Sequence, residues 1–177
     1  GEPNGCTAAG LAMILDPDVK DPVRGMALVV RGCDAGDKRA CFAAGTAYLT
    51  GSAVARDDAA AIRYLVKACD RAHAEACSTL VEVHANHSDL ASAVAFARRA
   101  CQMGRSETCA LLGLAYRSGR GVERNEAEGL RWIRESCRGH FRQACSLLVE
   151  LDLALPVAAD LQADLYKEAC KGGVATA

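Results

Sequence analysis

The sequence lacks features that mark several large classes of protein. It has 21 Lys and Arg against 22 Asp and Glu, for a net charge of −1, and no basic tract. Because nucleic acids and anionic lipids are held by clustered Lys and Arg, this charge argues against both partners. No apolar run approaches the roughly 20 residues that span a bilayer, and residues 1–5 do not resemble a signal peptide. The sequence therefore indicates a cytosolic protein or the processed form of an exported one.

Signatures of catalysis and metal binding are also missing. The sequence contains no Gly-x-Ser-x-Gly, no His-Glu-x-x-His and no phosphate-binding Gly loop. His84 and His87 lie three residues apart and His73 precedes them, but no further ligand accompanies them. We therefore expect no catalytic residue, no metal site and no cofactor.

Ten cysteines, by contrast, follow a regular pattern. Eight of them form four pairs, and the second members of these pairs recur every 32 to 36 residues. Cys6 takes the place of an earlier second member, and Cys170 takes that of a later first member. A unit of this length repeated about five times predicts a solenoid. Because the pattern begins and ends within a unit, we expect a fragment of a longer array. Four pairs share an interval of eight residues: Cys33 with Cys41, Cys69 with Cys77, Cys101 with Cys109, and Cys137 with Cys145.

Each unit is predicted to form two antiparallel helices, helix A and helix B. The segments after Cys41 and Cys109 place apolar residues at helical spacing. A Gly-bearing loop follows, after which Asp57 or Asn125 is placed to cap helix B. Helix B runs to the next first-member Cys, and the seven residues between paired cysteines are expected to form the turn. Residues 1–177 are thus predicted to form a single all-α domain, an α/α superhelical solenoid of about five helix pairs.

Residues of constant size recur in both helices. Gly10, Gly45 and Gly113 stand four positions after a second-member Cys, and small residues stand eight positions before the first-member Cys of each of the four pairs, which predicts close packing of helix B on helix A. Large residues stand five positions before each first-member Cys and are predicted to wedge between the helices: Leu28, Tyr64, Phe96, Trp132 and Leu165.

Two segments, residues 44–64 and 112–132, resemble the Sel-1-like repeat, a relative of the tetratricopeptide repeat. The second carries Leu-Gly-x-x-Tyr, a Gly-x-Gly-Val loop and Trp132 in family order, whereas the first has Ala53 in place of the second loop Gly. The eight-residue cysteine interval is similar to that of the cysteine-rich, exported bacterial branch of the family. The resemblance covers nearly the whole chain, most strongly residues 40–145. It implies a repeat solenoid that binds proteins or peptides.

The resemblance also implies a disulfide in each pair, from helix B of one unit to helix A of the next. The Cys-x(2–4)-Cys spacing of zinc sites and the Cys-x-x-Cys of redox pairs are both absent. A loop of this size contributes on the order of 2.5 kcal/mol per bond, which compensates for a core rich in Ala. Disulfides imply an oxidising compartment, periplasmic or secreted. Cys6 and Cys170 are expected to be free thiols.

Helix A lines the inner wall of a tetratricopeptide-like superhelix, and the resemblance therefore implies a partner-binding face on it. Phe42 and Leu114 are expected to be exposed apolar anchors within a polar wall. The resulting expectation is a non-catalytic scaffold for an unidentified protein or peptide. The predicted partner-binding residues are Arg39, Phe42, Thr46, Ser78, Glu82, Asn86, Leu114, Arg117 and Glu150.

Two other functions stay open. Some cysteine-rich relatives have been linked to the binding or hydrolysis of β-lactams, which makes a binder or hydrolase of cell-wall fragments or β-lactams the alternative. No serine of this chain is followed by Lys three residues later, as a Ser-x-x-Lys nucleophile would require. The third possibility is a spacer within a longer envelope protein.

Overall fold

The computed structural model of this chain describes residues 3–16, 18 and 21–152. Within them the chain forms nine α-helices and no strand, so the all-α fold class is confirmed. Odd-numbered helices are helix A of a pair and even-numbered helices are helix B. The predicted fifth helix B, with Leu165 and Cys170, lies outside the described residues. The helices are α1 Pro3–Leu15, α2 Pro22–Asp34, α3 Lys38–Thr50, α4 Asp58–Asp70, α5 Ala74–Asn86, α6 Leu90–Gln102, α7 Ser106–Ser118, α8 Glu126–Arg138 and α9 Arg142–Asp152.

The chain divides into two compact units, Gly1–Val83 and His84–Ala177. In the first unit, α1 packs on α2, α2 on α3 and α3 on α4. In the second unit, α6 packs on α7, α7 on α8 and α8 on α9. Each of these helices therefore packs on its neighbours in the chain, which is the arrangement of a helical repeat solenoid. That residues 1–177 form one domain stays a prediction.

The predicted caps set the limits of the helices in two of the pairs. Asp57 accepts a hydrogen bond from the Ala60 N–H at 2.9 Å and begins α4. Asn125 accepts one from the Glu128 N–H at 3.0 Å and begins α8. The preceding helices, α3 and α7, end at glycines with φ of 70° and 71°. Both N-cap predictions are confirmed.

The turn between paired cysteines is shorter than predicted. Helix B continues one residue beyond the first Cys and helix A begins three residues before the second, so three residues remain outside the helices. The middle residue of each turn adopts the left-handed conformation, which reverses the chain after a helix. These residues are Gly36, Ala72, Gly104 and His140, with φ of 98°, 58°, 88° and 64°.

The four predicted disulfides are present, and each joins a helix B to the next helix A. Their Cα–Cα distances lie between 4.5 and 4.9 Å, and all eight bonded cysteines are buried. Cys6 of α1 is a half-buried free thiol. The bonds connect α2 to α3 through Cys33 and Cys41, α4 to α5 through Cys69 and Cys77, α6 to α7 through Cys101 and Cys109, and α8 to α9 through Cys137 and Cys145.

The predicted small positions are where helices A and B approach most closely. A Cβ placed on Gly10 would lie 2.6 Å from the Gly25 carbonyl oxygen, and one on Gly113 would lie 2.7 Å from that of Gly129. No other side chain fits between these backbones, because real Cβ atoms do not approach so closely. The prediction of close packing is confirmed at these pairs.

The large residues that cover the small positions lie one residue later than predicted. Leu65 and Ile133 are 0% exposed, and they contact the positions of Gly45 and Gly113. One residue turns a helix by about 100°, so the side chain that meets the partner helix is the next one along the chain. The predicted wedges that are only half-buried are Leu28, Tyr64, Phe96 and Trp132.

Candidate interaction surface

The exposed side of α7 carries one continuous stripe of four side chains. Glu107, Leu111, Leu114 and Ser118 follow one another at intervals of four, three and four residues, which place them on one face of a helix. Leu111 and Leu114 are 50% and 43% exposed. The opposite side of α7 is buried and includes Leu112. The stripe therefore has an apolar centre between two polar ends.

The corresponding stripes on α3, α5 and α9 are more polar, whereas that of α1 contains Ala8, the half-buried Leu11 and Leu15, which is 75% exposed. Leu147 of α9 stands at the position of Leu111, but it packs partly into the core around Ile133. Among the described residues, α7 is thus the helix A that exposes two large apolar side chains side by side. The stripes are Arg39, Ala43, Thr46 and Thr50 on α3, Glu75, Thr79, Glu82 and Asn86 on α5, and Gln143, Leu147 and Glu150 on α9.

Leu111 is a surface residue that the sequence pattern did not predict. The residue directly after each second-member Cys was expected in the wall, whereas the exposed stripe passes through the next one. Leu111 is identified by the helical spacing of α7, since exposed residues recur there at intervals of three and four on the side opposite the disulfide. Glu107, at the first position of the stripe, lies 3.9 Å from the Nε of Arg105.

Most of the polar residues predicted to bind a partner lie on exposed or half-exposed helix surface. Arg39 is exposed, with its Nε 3.8 Å from Asp37. The Thr46 hydroxyl donates to the Phe42 carbonyl at 3.0 Å, and the Ser78 hydroxyl donates to the Ala74 carbonyl at 3.2 Å. These two hydroxyls are thus engaged by their own helices. The side chains that lie exposed, and whose role in binding stays a prediction, are Glu82, Asn86 and Glu150.

Phe42 is half-buried and not an exposed anchor, because its ring stacks on His73 at 4.6 Å between centroids. The same position one repeat earlier is Thr7, whose hydroxyl donates to the Asp37 carboxylate at 2.6 Å. In α7 it is Ala110, which belongs to the core. The position after the second-member Cys therefore contacts the neighbouring repeat in unit 1.

Arg117 connects the two helices of one pair. Its Nε lies 2.6 Å from Oε1 of Glu126 in α8, and a Cβ on Gly129 would overlap its side chain. The guanidinium is thus held across the α7–α8 contact. It is therefore less available to a partner than the sequence predicts. Its role in binding stays a prediction.

The histidines are engaged in local contacts. His73 accepts a hydrogen bond from the Ala76 N–H, and Nδ1 of His84 lies 3.1 Å from Asp89. The described residues contain no cluster of three or more His, Cys, Asp or Glu side chains suited to a metal ion. Nor does any helix among them have the length and apolar character needed to cross a membrane.

Two polar groups at the junctions have shifted pKa values. Burial raises the pKa of Asp37, but hydrogen bonds from Thr7 and from the backbone of Arg39 and Ala40 outweigh it, so this pKa lies below its ordinary value. Burial lowers the pKa of His73, with Lys38 adding to the effect. The first group therefore favours its charged form and the second its neutral form.

Comparisons with known proteins agree with this geometry. The Sel1 repeat model matches residues 38–73 and 106–141. A search of curated proteins found no match. Among solved structures, a Sel1 repeat protein from Oxalobacter formigenes is 22% identical with a TM-score of 0.72, over 97% of this chain and 73% of that one.

Two further solved structures are similar. The protective antigen c5321 of uropathogenic Escherichia coli, described as displaying an SLR fold, is 23% identical with a TM-score of 0.78, over 98% of this chain and 39% of that one. Cysteine rich protein B of Helicobacter pylori is 23% identical with a TM-score of 0.54, over 72% of this chain and 95% of that one. At these identities the likeness concerns the fold.

Proposed function

This chain is a Sel1-like repeat protein, and from that premise we propose that it is a non-catalytic scaffold that binds a protein or peptide through α7. The observation that carries the proposal is the pair of neighbouring exposed side chains, Leu111 and Leu114. Apolar side chains that lie next to each other on a surface mark contact sites, whereas scattered single ones do not. The polar ends of the stripe, Glu107 and Ser118, suit the rim of such a contact.

The expected strength of this contact follows from the exposed area. Complete burial of a Leu side chain contributes about 1.5–3 kcal/mol relative to full exposure. Leu111 and Leu114 are about half exposed, so together they have roughly 1.5–3 kcal/mol left to contribute on binding. This amount corresponds to a change in Kd of about tenfold or more.

We further propose that the scaffold works in an oxidising compartment outside the cytosol. Four buried disulfides support this location, because the cytosol keeps such thiols reduced. The fold of a cysteine rich protein from Helicobacter pylori, to which this chain is similar, supports it as well. The partner is a protein or peptide of that compartment.

Selection of peptides on the oxidised protein tests the proposal. The affinity of peptides selected on the wild type is measured again on a double variant, Leu111→Ala with Leu114→Ala. The control variant is Val23→Ala, which truncates an apolar side chain that is 76% exposed on α2. We expect the double variant to weaken binding about tenfold or more and Val23→Ala to leave it unchanged. A double variant that binds the peptides as tightly as the wild type would contradict the scaffold function. So would a protein that hydrolyses a fluorescent β-lactam or becomes covalently labelled by it.

A further inference from the structure

His73 occupies a junction between neighbouring repeats of the first unit. It is the last residue of the turn between α4 and α5, and its Nδ1 lies 3.3 Å from the Ala76 nitrogen, whose N–H it accepts. Its ring stacks on Phe42 of α3 with an interplanar angle of 20°. A single imidazole therefore caps α5 and holds that helix against the preceding helix A.

This hydrogen bond requires a neutral imidazole. Only an unprotonated Nδ1 can accept, whereas both nitrogens of the imidazolium ion are donors. A proton on Nδ1 would oppose the N–H of Ala76 at the N-terminus of a helix, where the helix dipole also disfavours positive charge. Nearby, Lys38 Nζ donates to the Ala72 carbonyl at 3.2 Å, which brings a further positive charge to the junction.

The charged groups that face the ring come from two helices. Asp37 precedes α3, Lys38 begins that helix and Glu75 lies in the first turn of α5. The carboxylates favour the imidazolium ion, while burial, most strongly, and Lys38 oppose it. The pKa of His73 is lowered on balance, in agreement with its role as an acceptor.

We propose that His73 is a pH-sensitive latch between α3 and α5, which opens when the imidazole takes up a proton. On protonation Nδ1 can no longer accept from the Ala76 N–H, so the latch to α5 opens and the first turn of that helix loses its cap. The latch does not depend on the proposed contact at α7. It would make the first unit respond to acidification. The equivalent junctions have no histidine at this position and would not respond in this way.

The direction of the pH effect follows from linkage. Because the pKa of His73 is lower in the folded chain, the folded chain binds fewer protons than the unfolded chain just below the ordinary pKa of about 6.5. The stabilisation is complete above that pH and is lost as the pH falls below it, down to the folded pKa. At the same position of the other turns stand Asp37, Arg105 and Phe141, none of which has an ordinary pKa in this range.

Hydrogen exchange of the Ala76 amide, measured by NMR on the full oxidised chain, tests the latch. We expect its protection factor to fall about fivefold between pH 7.5 and pH 5.5, the factor that corresponds to loss of an N-cap worth about 1 kcal/mol. In His73→Asn the side-chain oxygen can still cap but does not titrate, so protection should stay constant. The matched control His87→Asn changes an exposed histidine of the α5–α6 connection and should respond like the wild type.

Two results would overturn the proposal. One is an Ala76 amide of the wild type whose protection is the same at both pH values, and the other is an equal loss in His73→Asn. If His73→Asn does not fold, Phe42→Leu replaces it, which keeps the cap but removes the stacked ring. Because an aromatic face attracts a cation and an aliphatic side chain does not, the Ala76 amide of this variant should lose protection at a lower pH, and an unchanged midpoint would contradict the role of the Phe42 ring.

Discussion

The two segments that match the Sel1 repeat, residues 38–73 and 106–141, share a frame but not a surface. In both, helix A ends at a left-handed glycine, and an Asp or Asn caps helix B. In both, a fully buried Leu or Ile covers a glycine of helix A. The caps, the glycines and the buried Leu or Ile of this shared frame each contact backbone or a buried neighbour, so few side chains can replace them.

The two segments differ on the exposed stripe of helix A. The first has Ala43 and Thr46 where the second has Leu111 and Leu114. Leu111 and Leu114 are exposed, and Ala43 and Thr46 are half-buried, so the fold places little constraint on these positions and a partner can determine their chemistry. The comparison teaches that the repeat pattern determines architecture, whereas the proposed binding depends on residues that the pattern leaves free.

The disulfide at the end of each segment offers the largest test of the shared frame. One double variant replaces Cys69 and Cys77 by Ala and the other replaces Cys137 and Cys145 by Ala, so each opens a bridge of the same eight-residue separation. Because the loop-entropy stabilisation depends on that separation, we expect each double variant to lose about 2.5 kcal/mol of unfolding free energy. Urea unfolding of the oxidised proteins measures the loss. Cys6→Ser is the control, and markedly unequal losses would contradict a shared frame.

The helix A–helix B loops should respond differently to the same kind of substitution. Gly121 has a φ of 77°, and a Cβ on it would overlap the Leu90 carbonyl. Gly121→Ala should therefore lose about 2 kcal/mol or more, since the left-handed conformation alone costs a non-glycine residue about 1–2 kcal/mol. Ala53, at the same position of the first segment, has no positive φ.

The reciprocal variant Ala53→Gly makes the loop comparison quantitative. It should cost less than about 1 kcal/mol, mainly through the greater freedom of the unfolded chain. Thermal unfolding of the two variants beside the wild type gives both values. A Gly121→Ala variant as stable as the wild type would show that the two loops have equivalent backbones.

The cysteine period predicts the helix pairs because it depends on distance along the chain. The resemblance to the Sel-1-like repeat implies the disulfides, and the Asp or Asn after each Gly-bearing loop predicts the caps. The period does not determine which way a side chain points around its helix, since one residue changes the direction by about 100°. For this reason Leu65 and Ile133 replace the predicted wedges Tyr64 and Trp132. The same shift of one residue explains why Leu111 was missed. Helix crossing geometry, which the sequence pattern does not contain, decides these directions.

The turns that end the two segments offer the smallest test. Ala72 adopts a φ of 58° in a turn where Gly36 and Gly104 take the same place. Ala72→Gly removes the cost of the left-handed conformation, about 1–2 kcal/mol, but adds freedom to the unfolded chain, about 0.4–1 kcal/mol. We expect a net gain of about 0.5–1 kcal/mol in unfolding free energy, measured by urea unfolding at pH 7.5.

Gly36→Ala is the matched control for Ala72→Gly. A Cβ on Gly36 would meet no atom within 4 Å, so this variant changes backbone conformation without a clash. It should lose about as much stability as Ala72→Gly gains, because both substitutions exchange the same two residue types at the same place in the turn. A gain at Ala72 without a loss at Gly36 would mean that the turn ending the first Sel1 segment differs from the turn before it, and that conformational cost alone does not set their stability.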